Sequence, residues 1–247
     1  MYKLFITGLL LFPFAIHALD AEQLLKAADE YRQSGEEILV RSVIKLYKDN
    51  ELERERAYDV YIRPDRQSLV ISKTPSEKGQ KVLMLDDKFW LLLPKSKRPI
   101  RITPMQKLIG EASTGDIATM KWHEDYAPEI VTTSQPSNNQ ENNDEIALLL
   151  TAKHKGATYQ KIHLWIAEHS YIPKRAELFL TSGKLAKIAR FEVNQVNGRE
   201  QVTKMILHDN INRQQHTEIT YIENKAFSID QKYFNPTYLA RNPAFEI

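Results

Sequence analysis

Three carboxylates, Asp116, Glu124 and Asp125, lie close together in the chain and could set a general acid beside a base, as hydrolysis requires. Their context points elsewhere. Asp116 directly follows Gly115, as a turn or cap residue does, and Asp125 sits in the polar-aromatic run WHEDY of the kind that ends a loop. Of the seven histidines, His123, His154, His163 and His169 show no HExxH or other paired spacing, and the chain has no cysteine. A zinc centre is therefore not expected, nor is a cofactor. The eight glycines form no GxSxG, P-loop or GxGxxG motif, so no enzymatic activity is expected. Lys95, Lys97, Arg98 and Arg101 form a basic run that reads as a solvated face and could also meet lipid phosphates or an acidic docking surface.

These polar groups surround residues 98–126, a stretch that interrupts long alternating patterns with a short apolar segment. Thr103, Pro104 and Gln106 have the form of a capping box with proline at the first helical position. Met105, Leu108, Ile109 and Ala112 then recur at three-and-four spacing, with Gln106, Lys107 and Glu111 opposite. The spacing predicts a helix over residues 104–112, closed at Gly115. At about two turns it is too short to be stable alone, so it must lie as a lid against apolar surface. A filled core and a pocket both bury such a stripe, and the residues leave the two open. Trp90, Trp122 and Trp165 could line a pocket, though tryptophan also packs in any core where its N–H finds a partner.

The 247 residues are 42% hydrophobic and 27% charged, ordinary for a globular protein. Residues 1–18 differ. Lys3 supplies a positive end, Leu4 begins an apolar run diluted by Thr7 and Gly8, and Ala18 is a small residue suited to cleavage. This is the pattern of a secretory signal peptide; a membrane anchor needs about 20 apolar residues, and this run is shorter and holds Pro13. Lys3 is the only charged residue in that leader, so residues 19–247 carry 33 basic and 32 acidic residues, formal charge +1. Nothing in that balance suggests nucleic acid. With no cysteine there is neither a disulfide nor a lipid attachment at the cleavage point. The expected product is soluble and periplasmic.

From residue 20 to 31, Asp20 as cap, Gln23 at the box position and Leu24, Leu25, Ala28 and Tyr31 on one side predict a first helix that Gly35 stops. The period then becomes two. Ile38, Val40, Ile44 and Leu46 share one strand face, and Tyr58, Val60 and Ile62 share a face of the return strand after an Asp49-Asn50 turn. Residues 82–85 and 89–93 are apolar on both faces, which implies cover on both sides; Leu92 belongs to this group. Residues 134–144 are polar and of low complexity, read as a mobile loop. Alternation resumes in five or six further strands, with turns at Ser182-Gly183 and Asn197-Gly198, and residues 234–239 read as a tail packing an apolar end. The expected fold is mainly β: about 11 antiparallel strands in one domain, a strongly curved sheet or partial barrel with few helices.

Four segments carry a family resemblance: KVLMLDDKFWLLLP from Lys81, KRPIRITPMQKLIGEASTGD from Lys97, KGATYQKIHLWI from Lys155 and YIPKRAELFLTSGKL from Tyr171. In order along residues 19–247, the chain resembles the LolA-like family of outer-membrane lipoprotein-sorting proteins. The resemblance implies an open antiparallel half-barrel around an apolar cavity with short lid helices. It also implies a carrier that shields acyl chains of a lipoprotein or another envelope lipid, received from an inner-membrane transporter. Met105, Leu108, Ile109, Trp90, Leu92, Trp122 and Trp165 are then the candidate lipid-binding residues, membrane contact is transient, and a monomer is expected. A second expectation is a sensing module that binds an anti-sigma factor and detects mislocalised lipoproteins. The resemblance implies a second, smaller domain for such a module, and none is expected here after the last strand.

Overall fold

The computed structural model describes residues 20–33, 35–109, 112–118, 121–131, 144–209 and 214–242. The expected signal peptide and all but the last residue of the expected mobile loop lie outside them. Asp20 caps Ala21–Glu30 (α1) through a reciprocal box: its carboxylate accepts from the Gln23 N–H at 2.8 Å, and the Gln23 side chain accepts from the Asp20 N–H at 3.1 Å. Leu24, Leu25 and Ala28 are buried as their spacing requires.

The chain then meanders through strands Ile38–Lys48 (β1), Glu51–Arg63 (β2), Gln67–Ser72 (β3), Lys81–Leu85 (β4), Lys88–Leu92 (β5) and Ile100–Ile102 (β6). A small hairpin, Lys107–Ile109 (β7) with Ala112–Ser113 (β8), leads into two short helices, Thr114–Ala118 (α2) and Trp122–Asp125 (α3). A second meander follows: Tyr126–Val131 (β9), Glu145–Ala152 (β10), Lys161–Ala167 (β11), Pro173–Phe179 (β12), Leu185–Val196 (β13), Arg199–Asp209 (β14) and Gln215–Ala226 (β15). The last helix is Pro236–Arg241 (α4), capped by Asn235.

All strands but β7 and β8 form one antiparallel sheet of 13, in the order β6-β5-β4-β3-β2-β1-β15-β14-β13-β12-β11-β10-β9. It is mostly β and not closed into a barrel, as expected, with two more strands than the estimate of about 11. The extra ones are its edges: β6 has only three residues, and β9 contains Pro128. Tight turns set the local register. Asp49 and Asn50 both have positive φ, 52° and 65°, as do Asn197 and Gly198, 51° and 77°, so each pair makes the two-residue turn that matches strand twist. The two meanders are joined by β1 pairing with β15, from Ile38 opposite Ala226 to Lys48 opposite Gln215.

The sheet buries both faces of its first meander. Val82, Met84 and Phe89 join a large inner cluster with α1, α2, α3 and strands of the second meander, including Leu148, Leu164 and Leu207. Leu39, Tyr61, Leu69, Leu83 and Leu92 join a second cluster on the outer face, covered by Ile229, Phe234, Leu239 and Ala240. This explains the doubly apolar strands, and the tail over residues 234–239 packs as its composition predicts.

The lid helix over residues 104–112 does not form. In a helix the Pro104 and Gln106 carbonyls would accept from residues 108 and 110; instead they accept from Gly115 and Thr114, each at 2.8 Å. Gln106 donates back to Thr103 at 3.1 Å, closing a turn, and β7 pairs with β8. Tertiary pairing overrides a two-turn helical pattern. The stretch is still a cover. Its buried helix is α2, where Ile117 and Ala118 enter the inner cluster, and Met105 packs against that cluster from the turn.

Candidate functional site

Lys187 lies in the inward phase of β13, in step with buried Ala189 and Phe191, and is 2% exposed. A cation there needs an anion. Asp116 of α2 supplies it: its Oδ2 lies 2.6 Å from Lys187 Nζ and also accepts from the Ser113 N–H at 2.7 Å and the Ser113 hydroxyl at 2.8 Å. The Tyr159 hydroxyl donates to Asp116 Oδ1 at 2.6 Å, and the Tyr126 hydroxyl donates to the Tyr159 carbonyl at 3.1 Å. Burial opposes ionisation of Asp116, but the Lys187 charge and these hydrogen bonds outweigh it and hold the carboxyl below its ordinary value. The Tyr159 hydroxyl is pushed well up by burial and by the Asp116 charge.

Two further ties hold the cover. Asp29 of α1 accepts from the His123 backbone N–H and lies against its ring Nδ1, both at 2.8 Å. The bond to Asp29 raises the His123 pKa against a smaller effect of burial. Arg32, just beyond α1, stacks its guanidinium 3.7 Å from the Trp122 ring centroid, and Trp122 meets Phe191 edge-on at 5.6 Å.

Another tie lies on the rim. Arg66, in the turn after β2, donates from Nε to Asp125 Oδ1 at 2.5 Å and from a terminal nitrogen to Asp87 at 2.8 Å, and it also pairs with Asp86. His154 Nε2 lies 3.2 Å from the same Asp125 oxygen. Burial pushes the Asp125 carboxyl up, opposed by Arg66 and His154. Here the two ends of the sheet approach each other: a Cβ added at Gly156, in the loop after β10, would lie 2.4 Å from the Asp87 side chain, in the turn after β4. The cover is seated as tightly, since a Cβ at Gly115 would lie 2.1 Å from Thr158 Oγ1.

Beneath the cover the interior is close-packed. A cavity of about 30 Å³ remains beside Arg32, Asp116 and Tyr159, walled by Ile162, Leu178, Ala189, Phe191 and Met205, room for about two waters. Of the residues expected to line a lipid pocket, Trp122 and Met105 are at this interior. Trp90 and Leu92 lie with the outer cluster, and Arg101 stacks 4.6 Å from the Trp90 centroid. Trp165 alternates with the inward Ile162, Leu164 and Ile166 and so faces outward, under the Arg175 guanidinium at 3.6 Å. The side chains of Leu108 and Ile109 lie outside the described residues. Lys95, Lys97, Arg98 and Arg101 are exposed, as a solvated face predicts.

Sequence reading missed Lys187, Tyr159, Arg66 and the pair Asp29 and Arg32. The signal for Lys187 was its place in phase with Ala189 and Phe191. For Asp29 and Arg32 it was their helical spacing from Leu25 and Ala28.

A LolA superfamily protein from Nitrosomonas europaea superimposes with TM-score 0.79 over 90% of this chain and 100% of its own, at 29% identity. A family model described as "Uncharacterized protein" matches residues 64–241. The chain belongs to the family of that model and has the LolA-like fold. An outer membrane lipoprotein-sorting protein domain from Vibrio parahaemolyticus shares the LolA-like fold at TM-score 0.66 and 19% identity, covering 90% of this chain and 98% of its own. So does a DUF1329 family protein from Desulfovibrio piger, at TM-score 0.63 and 20% identity over 85% and 94%. No curated protein matches the chain. Among the described residues no helix is long and apolar enough to cross a membrane.

Proposed function

We propose that this LolA-like chain is a periplasmic carrier that shields acyl chains of a lipoprotein or another envelope lipid on their way to the outer membrane, with an inner-membrane transporter as donor. The observation that carries the reading is an apolar interior within a LolA-like sheet, closed by a cover that polar ties hold at a few points. With a cavity of about 30 Å³, the form described is the closed one, and a chain enters only where the cover withdraws. The driving force is transfer between solvents: each CH₂ taken out of water contributes about 0.8 kcal/mol, which a chain of ordinary length multiplies enough to offset exposing Met105, Ile117 and Trp122. Asp116 and Asp125 act as ties in this reading, not as hydrolytic groups, because each is engaged by a cation.

Delipidated protein is expected to bind a fluorescent acyl probe, and protein purified from its host to carry lipid detectable by mass spectrometry. Met105→Asp is expected to weaken probe retention while circular dichroism still reports the sheet. Absence of both probe binding and copurified lipid would sink the carrier reading.

A further inference from the structure

The ion pair at the centre of the interior is divided between a part that must move and a part that stays. Asp116 belongs to the cover, whereas Lys187 and Tyr159 belong to the sheet and its loops. Withdrawal of the cover takes the carboxylate toward water, where it is well solvated. It leaves the Lys187 ammonium, 5.6 Å from the Tyr159 ring centroid, in the inward phase with Ala189 and Phe191. An acyl chain filling the vacated space would exclude water from that ammonium, and a buried charge that has lost its partner is strongly disfavoured. A neutral cargo therefore meets a penalty on entry. A cargo that brings its own anion restores the pair, so Lys187 is matched both before and after exchange and the apolar tail decides the balance. Arg32 also lines this cavity, on the α1 side, but its charge is already matched by Asp29 at 3.5 Å, which leaves Lys187 as the cation that the cover's withdrawal strands.

We infer that the cargo is an acidic amphiphile, whose single anionic head, carboxylate or phosphate, replaces the Asp116 carboxylate against Lys187 Nζ and the Tyr159 hydroxyl. The inference rests on the carrier reading and adds the head-group chemistry. Asp116 is in these terms a built-in stand-in for the ligand.

The test compares delipidated wild-type protein with tetradecanoic acid, tetradecyl phosphate and tetradecanol, each displacing a fluorescent acyl probe. The acid or the phosphate should bind about tenfold or more tightly than the alcohol, the scale of a charge-assisted hydrogen bond to a buried group. Whichever anion is preferred identifies the head. In Lys187→Met the preference ratio should fall to near one. Asp116→Asn removes the competing carboxylate; its melting midpoint should fall and be restored by the acidic amphiphile more than by the alcohol. That rescue carries the test if Lys187→Met does not fold. Equal binding of acid and alcohol by the wild type, or a preference that survives in Lys187→Met, overturns the inference while leaving the carrier reading intact. Equal rescue of Asp116→Asn by inorganic phosphate overturns the amphiphile and leaves only an anion site. Failure of every amphiphile to bind overturns the carrier reading itself.

Discussion

Lys187 and Asp116 are buried together, and the energetics of such pairs are asymmetric: removing one partner strands the other charge, whereas removing both leaves packing. Lys187→Met is expected to cost about 3–5 kcal/mol in urea unfolding, and the double change Lys187→Met with Asp116→Leu distinctly less. Equal costs for the single and double variants would show that the pair is not coupled. The same pair sets an acid limit. Because the folded Asp116 pKa lies below its unfolded value of about 3.9, its contribution is present above that pH and is lost as pH falls through the folded value. His123 has the opposite sign. Its folded pKa is raised by Asp29, so the tie between α3 and α1 is fully present below the unfolded value of about 6.5 and is lost as pH rises through the folded one. The protection of the α3 amides, exchange divided by its intrinsic base-catalysed rate at each pH, should therefore fall from mildly acidic to mildly alkaline pH, and His123→Ala should flatten that dependence.

At the scale of elements, the cover is decided by how closely its backbone approaches the loop before β11. Gly115 leaves no room for a Cβ beneath Thr158, so Gly115→Ala should lift α2 and cost about 1–3 kcal/mol, the range for overpacking. Thr158→Ala removes the Oγ1 and Cγ2 atoms that would lie 2.1 and 2.5 Å from the new Cβ and should recover part of that loss. An unchanged melting midpoint in Gly115→Ala would mean that the cover shifts freely. Residues 104–112 show why this element was misread. Their apolar spacing and capping signals are those of a helix, but the Pro104 and Gln106 carbonyls find Gly115 and Thr114 instead of residues four further on. Burial of Met105 and Ala112 is satisfied either way, so the hydrophobic pattern could not choose between helix and hairpin.

The whole molecule depends on covering both faces of the first meander. Phe234 is buried on the outer face with Leu39, Tyr61 and Leu83, so Phe234→Ala should destabilise by about 3–5 kcal/mol, read by calorimetry. The inner ties should be untouched by it, and acyl-probe affinity at a temperature where the variant is folded should stay near that of the wild type. A large loss of affinity would mean that the two clusters are coupled through the sheet. On the inner side, the two sheet ends approach each other at Arg66, Asp87, Asp125 and Gly156, and β1 pairing with β15 joins the two meanders into one sheet of thirteen strands.

What the sequence determined by itself is local. Alternation of period two produced β1 and β2 with their inward faces, Asp20 with Gln23 produced α1, and Asp49-Asn50 and Asn197-Gly198 produced turns of fixed hand, each from interactions among near neighbours. The segment resemblances reached the LolA-like fold because they keep the same order along the chain. Only tertiary structure decided which carboxylate meets which cation. Asp116 with Lys187, Asp29 with His123 and Arg66 with Asp125 are separated by 71, 94 and 59 residues. No local period encodes such pairs; they exist because thirteen strands curl far enough to bring a cover from the middle of the chain over the inward face of the second meander.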